Sequence, residues 1–250
     1  IVNNNFIIFG ELVSKNKFKT DFGFTEVDIS AKKKLVNDVF DKVSNSYNLM
    51  NDLASLGIHR IWKDELINWL SPQPHQILAD IAGGTGDIAK KFVNNGGQRA
   101  DIIDINLNML KKGLNRRYNK IRYLCGNCEN LPIKDNTYHR VTISFGLRNI
   151  TYRENALKEI FRILKPGGRF ICLEFGKVDN VFIKKAYDIW SFKFLPMIGD
   201  IVSGNRFAYQ YLVESIRKFP DEEQLSLMMS KANFSRIKYR KLTQGIVTLH

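Results

Sequence analysis

The sequence is short of cysteine, of acidic residues relative to basic ones, and of long apolar runs. Three cysteines in 250 residues are too few for a disulfide scaffold and are typical of a reducing compartment. No uninterrupted apolar run approaches the roughly 20 residues that a membrane-spanning helix needs. A disulfide-stapled secreted domain and an integral membrane helix are therefore both disfavoured.

The excess of 38 basic over 25 acidic residues gives a formal net charge of +13. Such a balance favours a polyanionic partner, either nucleic acid or an anionic membrane surface. The alternative is a Lys- and Asn-rich composition spread over a solvated surface. With 44% hydrophobic and 12% aromatic residues, the chain can bury a full core, which excludes global disorder. Its length fits one large domain.

A glycine-rich turn near residue 84 is the strongest local signal in the chain. An aliphatic run over 77–81 predicts a buried parallel strand, and Gly83, Gly84 and Gly86 follow it. Helical spacing resumes over 87–95. Strand, glycine turn and helix form the first unit of a Rossmann-like fold, in which bare backbone and a helix N-terminus receive a ligand.

The rest of the chain continues this alternation of strands and helices. Further strands are predicted at 100–104, 121–125, 140–145 and 169–175, and helices at 107–118 and 152–164. A final strand pair is predicted at 235–240 and 246–249. Five parallel strands plus a terminal hairpin are typical, by fold-level analogy, of class I methyltransferases with a seven-stranded, mostly parallel sheet.

Two segments depart from the alternation. Residues 1–29 are predicted to form an N-terminal arm, and 30–250 a single α/β domain. An aromatic and basic stretch at about 179–219 predicts a helical insert after the fifth strand. The amphipathic segment 47–62, just ahead of the first strand, predicts a helical lid over the ligand cleft.

Polar residues follow the second and third predicted strands. Asp104 is placed to accept hydrogen bonds from a ribose diol, as in either a nicotinamide or an S-adenosylmethionine site; the alternative role is the N-cap of the next helix. Asn127, beside Cys128, suits an adenine edge and face. Cys125 and Cys128 fit a C-x-x-C pattern, but a single pair lacks the ligands of a tetrahedral metal site, so no metal is predicted.

The loop after the fourth strand offers groups for chemistry. Ser144 ends the strand, and Arg148 and Asn149 follow at the carboxyl edge, where open α/β sheets bind substrates. An Arg-Asn pair can direct donors at an oxygen anion or a carbonyl. The alternative for Arg148 is a structural salt bridge. His59 is a further catalytic candidate, although a lone histidine is more often structural.

Several stretches together resemble the ubiquinone/menaquinone biosynthesis C-methyltransferase family. The resemblance runs from about residue 22 to 250 and is carried by 57–63, 80–87, 144–150, 162–169, 173–175, 209–217 and 245–250. The segments 57–63, 144–150 and 245–250 are the specific ones, because the glycine motif is shared by many methyltransferases. Cys128 stands where the family usually has alanine.

The resemblance implies a class I S-adenosylmethionine-dependent C-methyltransferase acting on a polyprenyl methoxy-benzoquinol ring, with demethylmenaquinol as the alternative substrate. The predicted cofactor-binding residues are Asp80, Gly83, Gly84, Thr85, Gly86, Asp104, Asn127, Cys128 and Ser144. The predicted catalytic residues are Arg148, Asn149 and His59.

The resemblance also implies a setting. We expect peripheral contact with an anionic membrane, a homodimer, and membership of a ubiquinone-biosynthesis complex. The expected location is the matrix side of the mitochondrial inner membrane, or the cytoplasmic face of the membrane in a bacterium.

Two other functions remain open from sequence. An RNA methyltransferase would suit the positive charge, but the chain lacks the Asn/Asp-Pro-Pro-aromatic turn and the Pro-Cys nucleophile used on nucleic-acid bases, so no nucleic-acid partner is predicted. A non-catalytic protein of the same fold could instead hold a quinone-pathway assembly together.

Overall fold

A seven-stranded sheet forms the centre of the computed structural model, which describes residues 19–43, 47–114 and 118–250. An N-terminal hairpin, β1 (Lys19–Phe22) and β2 (Thr25–Asp28), stands apart from it. The strands of the main sheet are β3 (Ile77–Ile81), β4 (Arg99–Asp104), β5 (Ile121–Cys125), β6 (Tyr138–Ser144), β7 (Leu164–Phe175), β8 (Arg240–Leu242) and β9 (Val247–Leu249).

The sheet order is β5-β4-β3-β6-β7-β9-β8, with β3 to β7 parallel and β9 antiparallel to both of its neighbours. This mostly parallel sheet with a terminal hairpin confirms the predicted fold. Central β3 is aliphatic and buried because helices cover both faces. Ile81 pairs with Ile103 of β4 and Ile143 of β6, so three strands end side by side.

Ten α-helices surround the sheet in the described residues. They are α1 (Ile29–Val43), α2 (Tyr47–Ser55), α3 (His59–Leu70), α4 (Asp87–Asn94), α5 (Leu107–Leu114), α6 (Arg153–Ile163), α7 (Val181–Ile189), α8 (Leu195–Ser203), α9 (Arg206–Lys218) and α10 (Glu222–Lys231). One core cluster packs α3, α4 and α5 against the sheet, and another packs α6 and α10 on the opposite face.

A third core cluster joins the two ends of the chain. Phe22 of the hairpin and Val36 of α1 pack with Tyr209 and Leu212 of α9. Phe22 stacks on Tyr211 with ring centroids 4.3 Å apart. The sequence did not predict the hairpin, which lies within the segment assigned to an arm; residues 1–18 of that arm lie outside the described residues.

The structure corrects the boundaries of two predicted elements. The strand predicted at 235–240 is wrong: pairing begins at Arg240, and Arg236 has a positive φ of 55°, which interrupts an extended backbone. The helix predicted at 107–118 is described only as far as Leu114, and residues 115–117 lie outside the described part. The insert forms α7, a π-helical turn (Trp190–Phe194), α8 and α9, as predicted.

None of the helices in 19–43, 47–114 and 118–250 combines the length and apolar character needed to cross a bilayer.

Candidate active site

A cavity of about 360 Å³ opens at the carboxyl ends of β3, β4 and β6. This volume lies in the range of small-molecule sites, which is roughly 300–1,000 Å³. One wall is made by α1, whose cavity-lining residues are Ile29, Ser30, Lys33, Val36, Asn37 and Phe40. The helix that covers the cavity is therefore α1, and the prediction that 47–62 forms this lid is wrong.

The glycine turn brings bare backbone to the cavity at one position. Gly84 lines the cavity with a positive φ of 55°. Gly86 packs behind it: with φ at 83°, a Cβ there would lie 2.2 Å from Cδ1 of Ile102. Gly83 and Thr85 also lie outside the lining, and the Thr85 carbonyl accepts a hydrogen bond from Lys90. Gly84 is therefore the residue of the turn whose backbone borders the cavity, and the other three shape the turn.

Asp104 lies at the end of β4 and lines the cavity. Its Oδ2 accepts a hydrogen bond from the Gly84 backbone N–H at 2.9 Å, and its Oδ1 accepts from the Asn106 N–H at 2.8 Å. Burial raises the pKa of this carboxyl group. The helix cap is instead Asn106, whose Oδ1 accepts from the Met109 N–H, so the cap alternative for Asp104 is excluded.

Asp80 lies beneath the glycine turn rather than in the cavity lining. Its side chain is 1% exposed, and its Oδ1 accepts a hydrogen bond from the Thr142 hydroxyl at 2.9 Å. A Cβ on Gly83 would lie 2.7 Å from the Asp80 Oδ2. Asp80 was predicted to bind the cofactor, but its position gives it a supporting role under the turn.

Burial raises the pKa of Asp80 to about 7, from an ordinary value of 3.8. The native protein therefore binds more protons than the unfolded chain between these pH values, and Asp80 makes the unfolding free energy fall as pH rises through this window. We expect Asp80→Asn to remove this slope in urea unfolding of the ligand-free protein. Asp38→Asn, at an exposed carboxyl group on α1, is the control and should keep it. If the unfolding free energies of Asp80→Asn and the wild type changed with pH in the same way, the raised pKa of Asp80 would be contradicted.

Three more predicted residues line the cavity at the ends of β5 and β6: Asn127, Cys128 and Ser144. The Asn127 Oδ1 accepts from the Glu129 N–H at 3.1 Å, which orients the amide. Burial raises the pKa of Cys128 to about 12, so its thiol is neutral and acts as a small apolar wall. The Ser144 Oγ is buried without a hydrogen-bond partner in the described structure, and a ligand's polar atom would satisfy it.

Arg148 and Asn149, the predicted catalytic pair, border different cavities after the end of β6. Asn149 lines the 360 Å³ cavity, and its Oδ1 accepts a hydrogen bond from the Tyr211 hydroxyl at 3.0 Å, which leaves the amide NH₂ for a ligand. Phe145, which precedes them, lines the same cavity at a positive φ of 56°. Such strain in a non-glycine residue is characteristic of functional turns.

Arg148 lies behind this turn in a buried ion pair. Its guanidinium donates to Glu174 Oε1 at 2.9 Å and to the Phe145 carbonyl, and it stacks 5.4 Å from the Phe175 ring centroid. Its Nε has no hydrogen-bond partner in the described structure. The salt-bridge alternative is thus present, while the Nε–H donor of the guanidinium is unused in the described structure.

A second cavity, of about 20 Å³, has room for about one water molecule and lies beside Arg148. It is lined by Arg148 and His59, and it shares Phe40 and Phe145 with the larger cavity. The His59 Nδ1 lies 2.9 Å from the Ser55 hydroxyl. Burial, with a contribution from Lys63, lowers the pKa of His59 to about 4, so the imidazole is neutral.

The insert does not line the larger cavity, contrary to the prediction that it walls the pocket. Among residues 181–201 and 204–219, whose side chains the structure describes, Leu212 reaches the small cavity and Tyr211 contacts Asn149, but none borders the 360 Å³ space. Tyr211 and the α1 wall were both missed. The apolar face of α1 was visible in sequence, whereas its position over the sheet depends on contacts with α9.

The residues present fit S-adenosylmethionine. Gly84 offers backbone, Asp104 a carboxylate for a diol, and Ser144 an unsatisfied hydroxyl, all on one cavity. No group of three or more His, Cys, Asp or Glu side chains within 19–43, 47–114 and 118–250 is arranged to hold a metal ion.

Comparisons with known proteins identify relatives of this chain. It is 46% identical over 267 aligned residues to the mitochondrial 2-methoxy-6-polyprenyl-1,4-benzoquinol methylase of Dictyostelium discoideum, with 93% of this chain and 85% of that protein covered. It is 47% identical over 238 residues to the ubiquinone/menaquinone biosynthesis C-methyltransferase UbiE of Brucella abortus strain S19, with 92% and 88% covered.

The fold matches solved methyltransferase structures. A SAM-dependent methyltransferase from Aquifex aeolicus superposes with a TM-score of 0.54 at 11% identity, covering 75% of this chain and 86% of that one. The family model described as the ubiE/COQ5 methyltransferase family matches residues 28–250. The prediction of an S-adenosylmethionine-dependent C-methyltransferase is confirmed. The chain belongs to the ubiE/COQ5 methyltransferase family.

Proposed function

We propose that the protein transfers a methyl group from S-adenosylmethionine to a ring carbon of a polyprenyl methoxy-benzoquinol in ubiquinone biosynthesis. The observation that carries the proposal is the 360 Å³ cavity, in which Gly84, Asp104, Ser144 and Asn149 share the lining with apolar residues that include Val36 and Phe40 of α1. Polar cofactor contacts and an apolar, aromatic-lined wall suit a sulfonium donor and a quinol ring together. The similar Dictyostelium methylase, by its name, acts on such a benzoquinol.

The chemistry requires the ring carbon to become nucleophilic. Loss of a proton from a ring hydroxyl delocalises negative charge onto the carbon positions ortho and para to it. S-adenosylmethionine, when bound, supplies an electrophilic methyl group. The protein must therefore stabilise the phenolate oxygen, align the ring and exclude water.

Asn149 is positioned to donate to a quinol oxygen. The Tyr211 hydroxyl donates a hydrogen bond to the Asn149 Oδ1, so the Asn149 Nδ2–H groups are the donors available to a ligand. Tyr211 is itself held by stacking on Phe22 and by burial, which raises its pKa to about 12. Tyr211 is thus a positioning residue for Asn149.

Arg148 supports the same oxygen electrostatically. Glu174 and the Phe145 carbonyl hold one side of its guanidinium, and the unpartnered Nε is left for a water or an oxygen anion. A charge held in a buried, preorganised position stabilises an anion more strongly than one in water.

The group that takes the hydroxyl proton is proposed to be either His59 or a water held near Arg148, both at the 20 Å³ cavity. His59 borders that cavity, and because burial lowers its pKa to about 4, its imidazole is neutral and has a nitrogen able to accept a proton. Its hydrogen bond to Ser55 gives it a structural role as well. The catalytic role of His59 stays a prediction.

We also propose the setting of the enzyme. The relatives reported above include one mitochondrial protein and one bacterial protein. A substrate with a polyprenyl tail resides in the bilayer, which supports peripheral attachment to the matrix side of the inner membrane, or to the cytoplasmic face in a bacterium. A homodimer and a place in a ubiquinone-biosynthesis complex remain proposals of the same kind.

A methyl-transfer assay tests the proposed function. Purified protein, labelled S-adenosylmethionine and short-chain methoxy-benzoquinol or demethylmenaquinol analogues are incubated, and products are identified by mass spectrometry. We expect a mass increase of one methylene group on a ring carbon of the benzoquinol. Preferential methylation of the demethylmenaquinol analogue would identify demethylmenaquinol as the substrate. Tight cofactor binding without turnover on either ring would instead support a non-catalytic role.

A further inference from the structure

The helical insert carries large apolar side chains in solvent. Phe182 is 84% exposed, Ile201 78% and Val181 74%, although side chains of this kind are normally covered. Phe182 and Ile189 lie seven residues apart on α7, and Met197 and Ile201 lie four apart on α8, so each pair shares one helix face. The insert surface is defined as Phe24, Val181, Phe182, Ile189, Phe192, Phe194, Met197, Ile201 and Phe207, all of which are exposed.

The insert surface continues onto the N-terminal hairpin. Phe24, at the turn between β1 and β2, packs against Phe192 with ring centroids 6.3 Å apart. Phe207, at the start of α9, lies 6.1 Å from Phe22 by the same measure. Exposed aromatic rings from three parts of the chain therefore gather in one region. Contiguous exposed apolar surface marks a contact with another molecule or with a membrane.

Basic side chains are interspersed with this apolar surface. Lys185, Lys193 and Arg206 are exposed on the same helices. The neighbouring acids are largely neutralised within the protein, because Asp188 pairs with Lys184 and Arg217 and Asp179 pairs with Lys241. Two acids remain: Asp200 is exposed on α8, and Glu214 of α9 accepts a hydrogen bond from the Phe24 N–H through its Oε2 at 3.0 Å. The three basic residues outnumber them. The charge presented around the apolar residues is therefore positive, which complements an anionic surface.

We propose that the insert surface docks the protein on an anionic lipid bilayer, with the rings of α7, the π-helical turn and α8 entering the interface and the lysines meeting the headgroups. Apolar and aromatic side chains flanked by Lys and Arg are the composition of interfacial membrane helices. The proposal rests on the proposed function for its purpose, since a quinol with a polyprenyl tail must be collected from the bilayer.

The insert surface is linked to the active site through α9. Tyr211 of this helix contacts Asn149 in the cavity and stacks on Phe22 of the hairpin. The hairpin carries Phe24 two residues further on, at the edge of the insert surface. A docked protein would thus hold the elements that frame the cavity close to the lipid that contains the substrate.

Vesicle flotation tests the docking surface. Wild-type protein is mixed with vesicles of phosphatidylcholine alone or of phosphatidylcholine with phosphatidylserine, and the bound fraction is measured. We expect binding that is much stronger on the anionic vesicles and that weakens with salt. Phe182→Ser/Ile201→Ser should weaken binding at least about tenfold, because two apolar anchors are lost. Lys185→Gln/Lys193→Gln should weaken it by roughly tenfold on anionic vesicles only.

Matched controls separate the surface from general properties of the chain. Leu227→Ser removes a side chain that is 57% exposed on α10, and Lys231→Gln removes an exposed charge on the same helix. Both should bind vesicles like the wild type. Equal binding by Phe182→Ser/Ile201→Ser and Leu227→Ser would overturn the proposal. So would sedimentation showing that the double variant converts a dimer to a monomer while vesicle binding is retained.

The failure of docking and the failure of the proposed function give different results. Turnover of a short-chain, water-soluble quinol should be the same in Phe182→Ser/Ile201→Ser as in the wild type, because the substituted side chains do not line the cavity. Turnover of a long-chain quinol in anionic vesicles should fall at least about tenfold in that variant. If the wild-type protein floats with vesicles but methylates neither quinol, the docking proposal stands and the proposed substrate is rejected.

Discussion

Replacing Arg148 with alanine should lower kcat for quinol methylation by about 100-fold to 1,000-fold while S-adenosylmethionine binding stays close to normal. The guanidinium is buried beside the turn at Phe145 with its Nε–H unpartnered in the described structure, and it does not line the cavity that Gly84 and Asp104 border. Steady-state turnover of a short-chain quinol measures kcat, and calorimetry measures the affinity for S-adenosylmethionine.

The buried partner of Arg148 requires its own control. Removal of one member of a buried ion pair leaves the other charge unpaired and costs about 3–5 kcal/mol, so Arg148→Ala alone would be destabilised by the orphaned Glu174. Arg148→Met/Glu174→Gln removes both charges at similar volume and should unfold close to the wild-type temperature. Turnover in this folded double variant at the wild-type rate would remove Arg148 from the mechanism.

Asp104→Ala should weaken S-adenosylmethionine binding by about 100-fold or more. Hydrogen bonds to a charged group contribute about 1.5–3 kcal/mol each, and a diol donates two of them to the carboxylate. The variant also loses the bonds from the Gly84 and Asn106 backbone N–H groups, which hold the glycine turn against β4. Isothermal titration calorimetry of the folded variant measures the dissociation constant.

Asp104→Asn provides the graded comparison. Its amide keeps one oxygen acceptor, so its affinity for S-adenosylmethionine should fall by about tenfold. Asp38→Asn, on the outside of α1, should bind like the wild type. At saturating cofactor, Asp104→Asn should turn over near the wild-type kcat, since Asp104 is proposed to bind the methyl donor rather than the quinol oxygens. Wild-type affinity in Asp104→Ala would show that the cofactor does not use the end of β4.

The sheet and the glycine turn could be predicted from the sequence because their signals are local. The aliphatic run of β3 and the glycines after it lie within a dozen residues of one another, so their pattern is visible in one short stretch of sequence. Gly86 must be glycine because its φ is positive and Ile102 lies close to its Cα. Asp104 and Ser144 followed from the rule that parallel strands end at one edge. The structure places both at the cavity.

Other features depend on residues that are far apart in the chain. Arg148 meets Glu174 because β6 and β7 pair in parallel, with Ser144 opposite Leu173, a register that no local pattern specifies. The N-terminal hairpin has only four residues per strand and is held by stacking of Phe22 on Tyr211. The assignment of the lid to 47–62 failed for the same reason, since α1 is fixed over the cavity by its packing with α9.

The packing of α1 against α9 has a consequence for biosynthesis. A ribosome delivers residues 29–43 well over one hundred residues before 206–218, yet these two helices share one core cluster with Phe22. A growing chain that has completed β3 to β7 possesses the glycine turn and the acid of β4 but still lacks the anchored front wall of its pocket. The nascent enzyme is therefore expected to gain its ligand affinity late, when translation has passed α9, although its parallel strands are complete well before that point.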